Sequence, residues 1–123
     1  MAVLGGMLLS KDAIGEVSQM IDVTDFYQPK HQTIYEAIID LFSNSQNVDV
    51  VIVANQLMKD GNLDKVGGAD YLHTLVAFVP TAANATYYAE IVHQRAILRN
   101  VIAAGTKIAQ LGYSAEARRP KTW

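Results

Sequence analysis

An all-α fold is predicted: a small helical bundle followed by one long helix that protrudes from it. Three observations carry this expectation. Apolar residues recur at helical spacing along almost the whole chain, with polar or Gly/Pro punctuation between segments. Half of the 123 residues are apolar and 18% are charged, which is material for one domain with its own core. From Ala85 to Leu111 no proline intervenes. At 1.5 Å per residue this stretch reaches about 40 Å, whereas a compact chain of this size is only about 35 Å across. The expected division is a bundle over 1–84, the long helix over 85–112 and a disordered tail over 113–123.

Val3, Leu4, Met7 and Leu8 make a short opening helix with Gly5 and Gly6 inside it. Glycine costs about 1 kcal/mol in a helix interior, so the pair implies a second helix packed close by. Ser10 can cap the next helix, whose stripe is Ile14, Val17 and Ile21. Pro29 suits the first turn of a third helix, with His31, Tyr35, Ile38 and Phe42 on one face and Ile34 and Leu41 beside them. After the polar loop 43–47, Asp49 caps a fourth helix carrying Val50, Val53, Ala54 and Leu57, and Gly61 ends it. Residues 48–53 could pass for a buried strand on β-branching alone, but the cap and the continuation to Leu57 favour helix. Gly67-Gly68 leads into a fifth helix with Tyr71, Leu72, Leu75 and Val76 inward, stopped by Pro80. Leu4, Phe26, Tyr35, Ile38, Leu57, Tyr71, Leu72 and Leu75 are the predicted core. In the last helix Ile91, Leu98 and Ile102 share one side, and Ala103, Ala104 and Gly105 permit close approach nearer the tip. An apolar stripe too long for the body implies a partner.

Catalytic and ligand-binding signals are absent or weak. With no cysteine there is no disulfide scaffold, thiolate metal site or cysteine nucleophile. His31, His73 and His93 have no metal-ligand spacing. His31 reads as a packed, hydrogen-bonded residue, and the other two as helix-surface or interface residues. Asp60, Asn62 and Asp64 begin like a calcium loop, but Lys65 and Tyr71 stand where glycine and glutamate are required. Asn84-Ala85-Thr86 fits a glycosylation triplet, yet Asn84 reads better as a helix cap. None of the glycine pairs has the spacing of a phosphate loop. No cofactor or metal is expected on this chain. Neither a secretory signal nor an apolar run of membrane length is present, so a cytoplasmic protein is expected. Residues 1–115 hold seven basic and eleven acidic side chains, and the basic excess sits at Arg118, Arg119 and Lys121. Little direct DNA binding follows, because phosphate contact rests on Lys and Arg. Tyr87 and Tyr88 lack the positive groove in which bases stack.

As a set, the motifs are distinctive. Ala2-Val3-Leu4-Gly5-Gly6-Met7-Leu8-Leu9 resembles the opening of the bacterial replicative DNA helicase family of the DnaB type. Asp25-Phe26-Tyr27 with His31 and Ile34-Tyr35 resembles its next segment. Gly61-Asn62-Leu63, Val66-Gly67-Gly68, Tyr71-Leu72 and Leu75 follow in the same order, as do Pro80, Ala83-Asn84, Tyr88-Ala89, Ile91-Val92 and Leu98-Arg99. The resemblance spans residues 2–112 and covers only that family's amino-terminal domain. It implies that the long helix is the first half of a helical hairpin, through which subunits pair in a hexameric collar that also receives primase and a helicase loader. It further implies a parent protein that unwinds DNA through a motor domain using ATP and magnesium. The chain opens almost inside the first motif, as an excised fragment would, and Pro120 interrupts helix where the hairpin would continue.

On that resemblance the candidate subunit contacts are Tyr88, Ile91, Arg95, Leu98, Arg99, Ile102 and Ile108. Ordinary core packing is the alternative for Tyr87, Tyr88 and Ile91, which lie nearest the body. The competing function is the helicase-binding domain of a primase, which resembles the same bundle and hairpin. The opening motif and the Gly67-Gly68…Tyr71-Leu72 segment favour the helicase side. A small helical enzyme would need convergent polar groups that the sequence lacks.

Overall fold

Helix α1 (Ala2–Leu9) runs through the middle of the body. Val3, Leu4, Gly5, Gly6, Met7 and Leu8 are all buried in it, and a helix apolar on every side must be enclosed by others. It packs against α2 (Lys11–Met20), α3 (Pro29–Ser43), α5 (Gly68–Ala77) and α6 (Ala85–Ala117). Helix α4 (Val50–Lys59) completes the bundle by packing on α3 and α5. The computed structural model describes residues 2–77, 79 and 84–117, and among these no strand occurs.

Gly5 does what its helix cost implies. A Cβ on Gly5 would overlap the Leu75 carbonyl oxygen and lie 2.7 Å from Val79 Cγ2, so α1 and α5 touch backbone to backbone there. Ser10 breaks the chain between α1 and α2, its hydroxyl accepting the Ala13 N–H at 3.4 Å. Ile14 and Val17 then point into the core. A 3-10 turn, Val23–Asp25, which periodicity does not announce, separates α2 from α3. Pro29 occupies the first turn of α3, as its fixed φ favours. Asp49 caps α4 by accepting from Ile52 N–H at 2.9 Å, so residues 48–53 are not a strand. Gly67 adopts φ +101°, a left-handed conformation closed to most side chains, and turns a second 3-10 segment (Asp64–Val66) into α5.

Leu4, Phe26, Tyr35, Ile38, Leu57, Leu72 and Leu75 are buried as expected. Tyr71 packs against this core without being fully enclosed. Its hydroxyl hydrogen-bonds with the buried His31 at Nε2, at 2.5 Å, and Lys30 Nζ lies 4.1 Å from the centre of its ring. The expected limits of the long helix change. It continues to Ala117 rather than stopping at 112, and its first three turns belong to the body: Ala85, Ala89, Val92 and Ala96 are buried. The boundary at 84/85 is therefore a change of element within one core. The expected stop at Pro80 and the tail beyond 117 lie outside the described residues.

Candidate subunit interface on the long helix

Helix α6 has two parts with different surroundings. Its first part lays Ala85, Ala89, Val92 and Ala96, spaced four, three and four residues apart, against α1, α2 and the Val23–Asp25 turn. These small residues are what close approach needs, and they carry too little apolar weight to mark a core face in the sequence. The second part packs against none of the other described helices. Every residue from Asn100 to Glu116 is exposed, and segment 100–117 extends about 27 Å past the body.

That arm is not polar. Leu98 is 62% exposed, Ile102 68% and Ile108 70%, with Ile97, Val101, Leu111 and Tyr113 also open to solvent. Leu98, Val101, Gly105, Ile108 and Gly112 alternate at three and four residues, the spacing of a helix–helix seam, with Ile102 alongside. A Cβ on Gly105 or Gly112 would meet nothing within 4 Å. Two helix-weakening glycines seven residues apart on one seam leave room for a partner's backbone. Ile91, one heptad before Leu98, continues this seam onto the body, while Val101 and Gly112 join it without having stood out in the sequence.

The other predicted contacts cluster at the base of the arm. Tyr88 and Ile91 are half-buried and, with Arg95 and Arg99, line a groove of about 340 Å³ whose other walls are Ala2, Val3, Asp25 and Tyr27. For Tyr88 and Ile91 the core-packing alternative thus holds in part, while Tyr87 is exposed. Arg99 already has partners within the chain. It donates from Nη2 to the Asp25 carbonyl at 2.7 Å, and its guanidinium lies 5.4 Å from the centre of the Tyr27 ring. His93, exposed, holds Asp25 Oδ2 through Nδ1 at 2.8 Å. His31 is buried on α3, and burial first, with nearby positive charge second, pulls its pKa down to about 4. No group of three or more metal-ligating side chains and no helix of membrane length occurs among the described residues.

Comparison with known proteins agrees with this architecture. Residues 1–94 match the family described as the DnaB-like helicase N terminal domain. The replicative DNA helicase DnaB of Leifsonia xyli is 55% identical over 113 residues, covering 92% of this chain and 25% of that protein. DnaB of Mycobacterium leprae is 53% identical, with 92% of this chain and 19% of that protein covered. This chain thus spans a quarter or less of these relatives' length. The crystal structure of the N-terminal domain of DnaB helicase from Mycobacterium tuberculosis is similar at a TM-score of 0.89 and 54% identity, covering 91% of this chain and 81% of that one. With sequence and fold in agreement, the chain belongs to the DnaB-like helicase N-terminal domain family.

Proposed function

We propose that this domain is the oligomerisation and docking collar of a hexameric replicative helicase. Copies pair through the apolar seam of α6, and the ring they form receives primase, with a loader engaging the same assembly. Unwinding, ATP and magnesium belong to a motor domain outside these residues. The carrying observation is the seam of Leu98, Val101, Ile102 and Ile108, exposed on the part of α6 that leaves the body. Solvent-exposed apolar surface of this extent marks an interaction site.

The test replaces Leu98 and Ile102 by glutamate together. The solution mass should fall toward that of a monomer, while the helical circular-dichroism signal and cooperative unfolding stay nearly unchanged. The carboxy-terminal domain of primase, added to the unaltered protein, should raise the mass further. A parent protein that is monomeric at every concentration, or a double variant that no longer folds, defeats the pairing reading.

A further inference from the structure

We infer that His93 and Arg99 are positioning residues, which with Asp25 set the direction in which α6 leaves the body and hence the geometry in which two copies meet. The link to pairing rests on the function proposed above; the direction of the arm does not.

The fully buried face of α6 consists of Ala85, Ala89, Val92 and Ala96, and the one large side chain packed on the core from this helix, Tyr88, lies near its start, more than two turns before the arm begins. Helices lock in angle when large side chains on one fit grooves on the other. Alanine ridges are shallow, so beyond Tyr88 this face brings the helices close with little resistance to a small tilt. Polar contacts at the end of the packed segment supply the missing restraint. The Asp25 carboxylate only accepts, so His93 Nδ1–H donates to it, at 2.8 Å. Arg99 reaches the Asp25 main-chain carbonyl from the next turns, at 2.7 Å, and lies against the Tyr27 ring. The same Asp25 carboxylate oxygen accepts the Asp22 N–H at 3.2 Å, which braces the turn that α6 is held against.

The position matters as much as the bonds. Ala96 is the last buried residue of α6 and Arg99 the last that is not exposed, so the contacts sit where the arm begins. A tilt of about 10° there displaces the tip sideways by about 5 Å over an arm of about 27 Å, roughly half the distance between the axes of packed helices. His93 is half exposed and its pair with Asp25 adds little to folding stability. Removing the contacts should redirect the arm without unfolding the body.

The absence of cysteine allows spin labels at introduced cysteines only. Gln46→Cys, in the loop between α3 and α4, and Gln110→Cys, on the arm, are both exposed sites. Distances between them are measured by electron–electron resonance in the Leu98→Glu/Ile102→Glu background, so that pairing does not enter. His93→Ala/Arg99→Ala should broaden the distance distribution by about twofold or shift its centre, as loosening a helix contact does, with the melting temperature held within about 5 °C. His93→Gln/Arg99→Lys, which keep a donor at each place, should restore the parent distribution. A distribution unchanged in the double alanine variant overturns the inference. If that variant does not fold, the two single alanine variants decide, and unchanged distributions in both overturn it. Failure of the Leu98 and Ile102 substitutions to lower the mass would count against pairing alone.

Discussion

His31 shows what burial does to one titrating side chain. It is buried on α3, hydrogen-bonded to the Tyr71 hydroxyl, with the Phe26 ring edge-on at 6.5 Å. Its pKa falls to about 4 from the ordinary 6.5, chiefly because burial penalises the charged ring. The unfolded chain takes up this proton near pH 6.5 and the folded chain resists it until about pH 4. The native state therefore loses stability as pH falls through that window, by up to about 3 kcal/mol, and nothing changes above it. Urea midpoints at about pH 7 and pH 4.5 should differ less in His31→Gln than in the parent; equal differences would show that His31 does not carry the effect. Nearby Tyr35 moves the other way, its hydroxyl pushed up to about 12 by burial first and by Asp22 and Asp25 next while it donates to the Ile21 carbonyl at 3.0 Å. The stripe containing both residues was legible in the sequence. The pairing of His31 with a tyrosine 40 positions away was not, because no local period encodes it.

At the scale of elements, two glycines in helices have opposite meanings. Gly5 is pressed against the α5 backbone, and its missing side chain makes the α1–α5 crossing possible. Gly5→Ala should destabilise by about 1–3 kcal/mol, the cost of overpacking, although alanine is the better helix former. Gly105→Ala, open on every side in a single copy, should instead stabilise a monomeric variant by about 0.5–1 kcal/mol. Denaturant unfolding of the two variants reads both signs at once. A neutral Gly5→Ala would mean that the two helices stand further apart than described. The first glycine's role was visible as a doublet in an apolar helix. The second became clear only once the arm was seen to lie free of the body.

For the whole molecule, the division between an acidic body and a projecting apolar arm governs what it can bind. Residues 1–115 carry seven basic against eleven acidic side chains, too few cations to hold a phosphate backbone. Binding to duplex DNA should need high protein concentration and vanish with modest added salt, and removing residues 116–123 should abolish what is left. Tight binding by the shortened chain, measured by mobility shift, would defeat the charge argument. The pairing proposed above rests instead on apolar contact, so its salt dependence should be correspondingly small.

Local chemistry accounts for most of the fold. Helix starts at Ser10, Pro29 and Asp49, the stop at Gly61 and the core residues from Leu4 to Leu75 each follow from caps, turns and period, all of which act within a few residues. The motifs that tie the chain to its family are also read directly from the residues. Long-range packing decided the rest. It drew Ala85, Ala89, Val92 and Ala96 into the core although alanine carries no strong apolar signal, and it set Tyr71 at the edge of the core beside His31 and Lys30. It also tied Arg99 and His93 to Asp25, roughly 70 residues away in the chain, because hydrogen bonds depend on distances in space that spacing along a sequence does not contain.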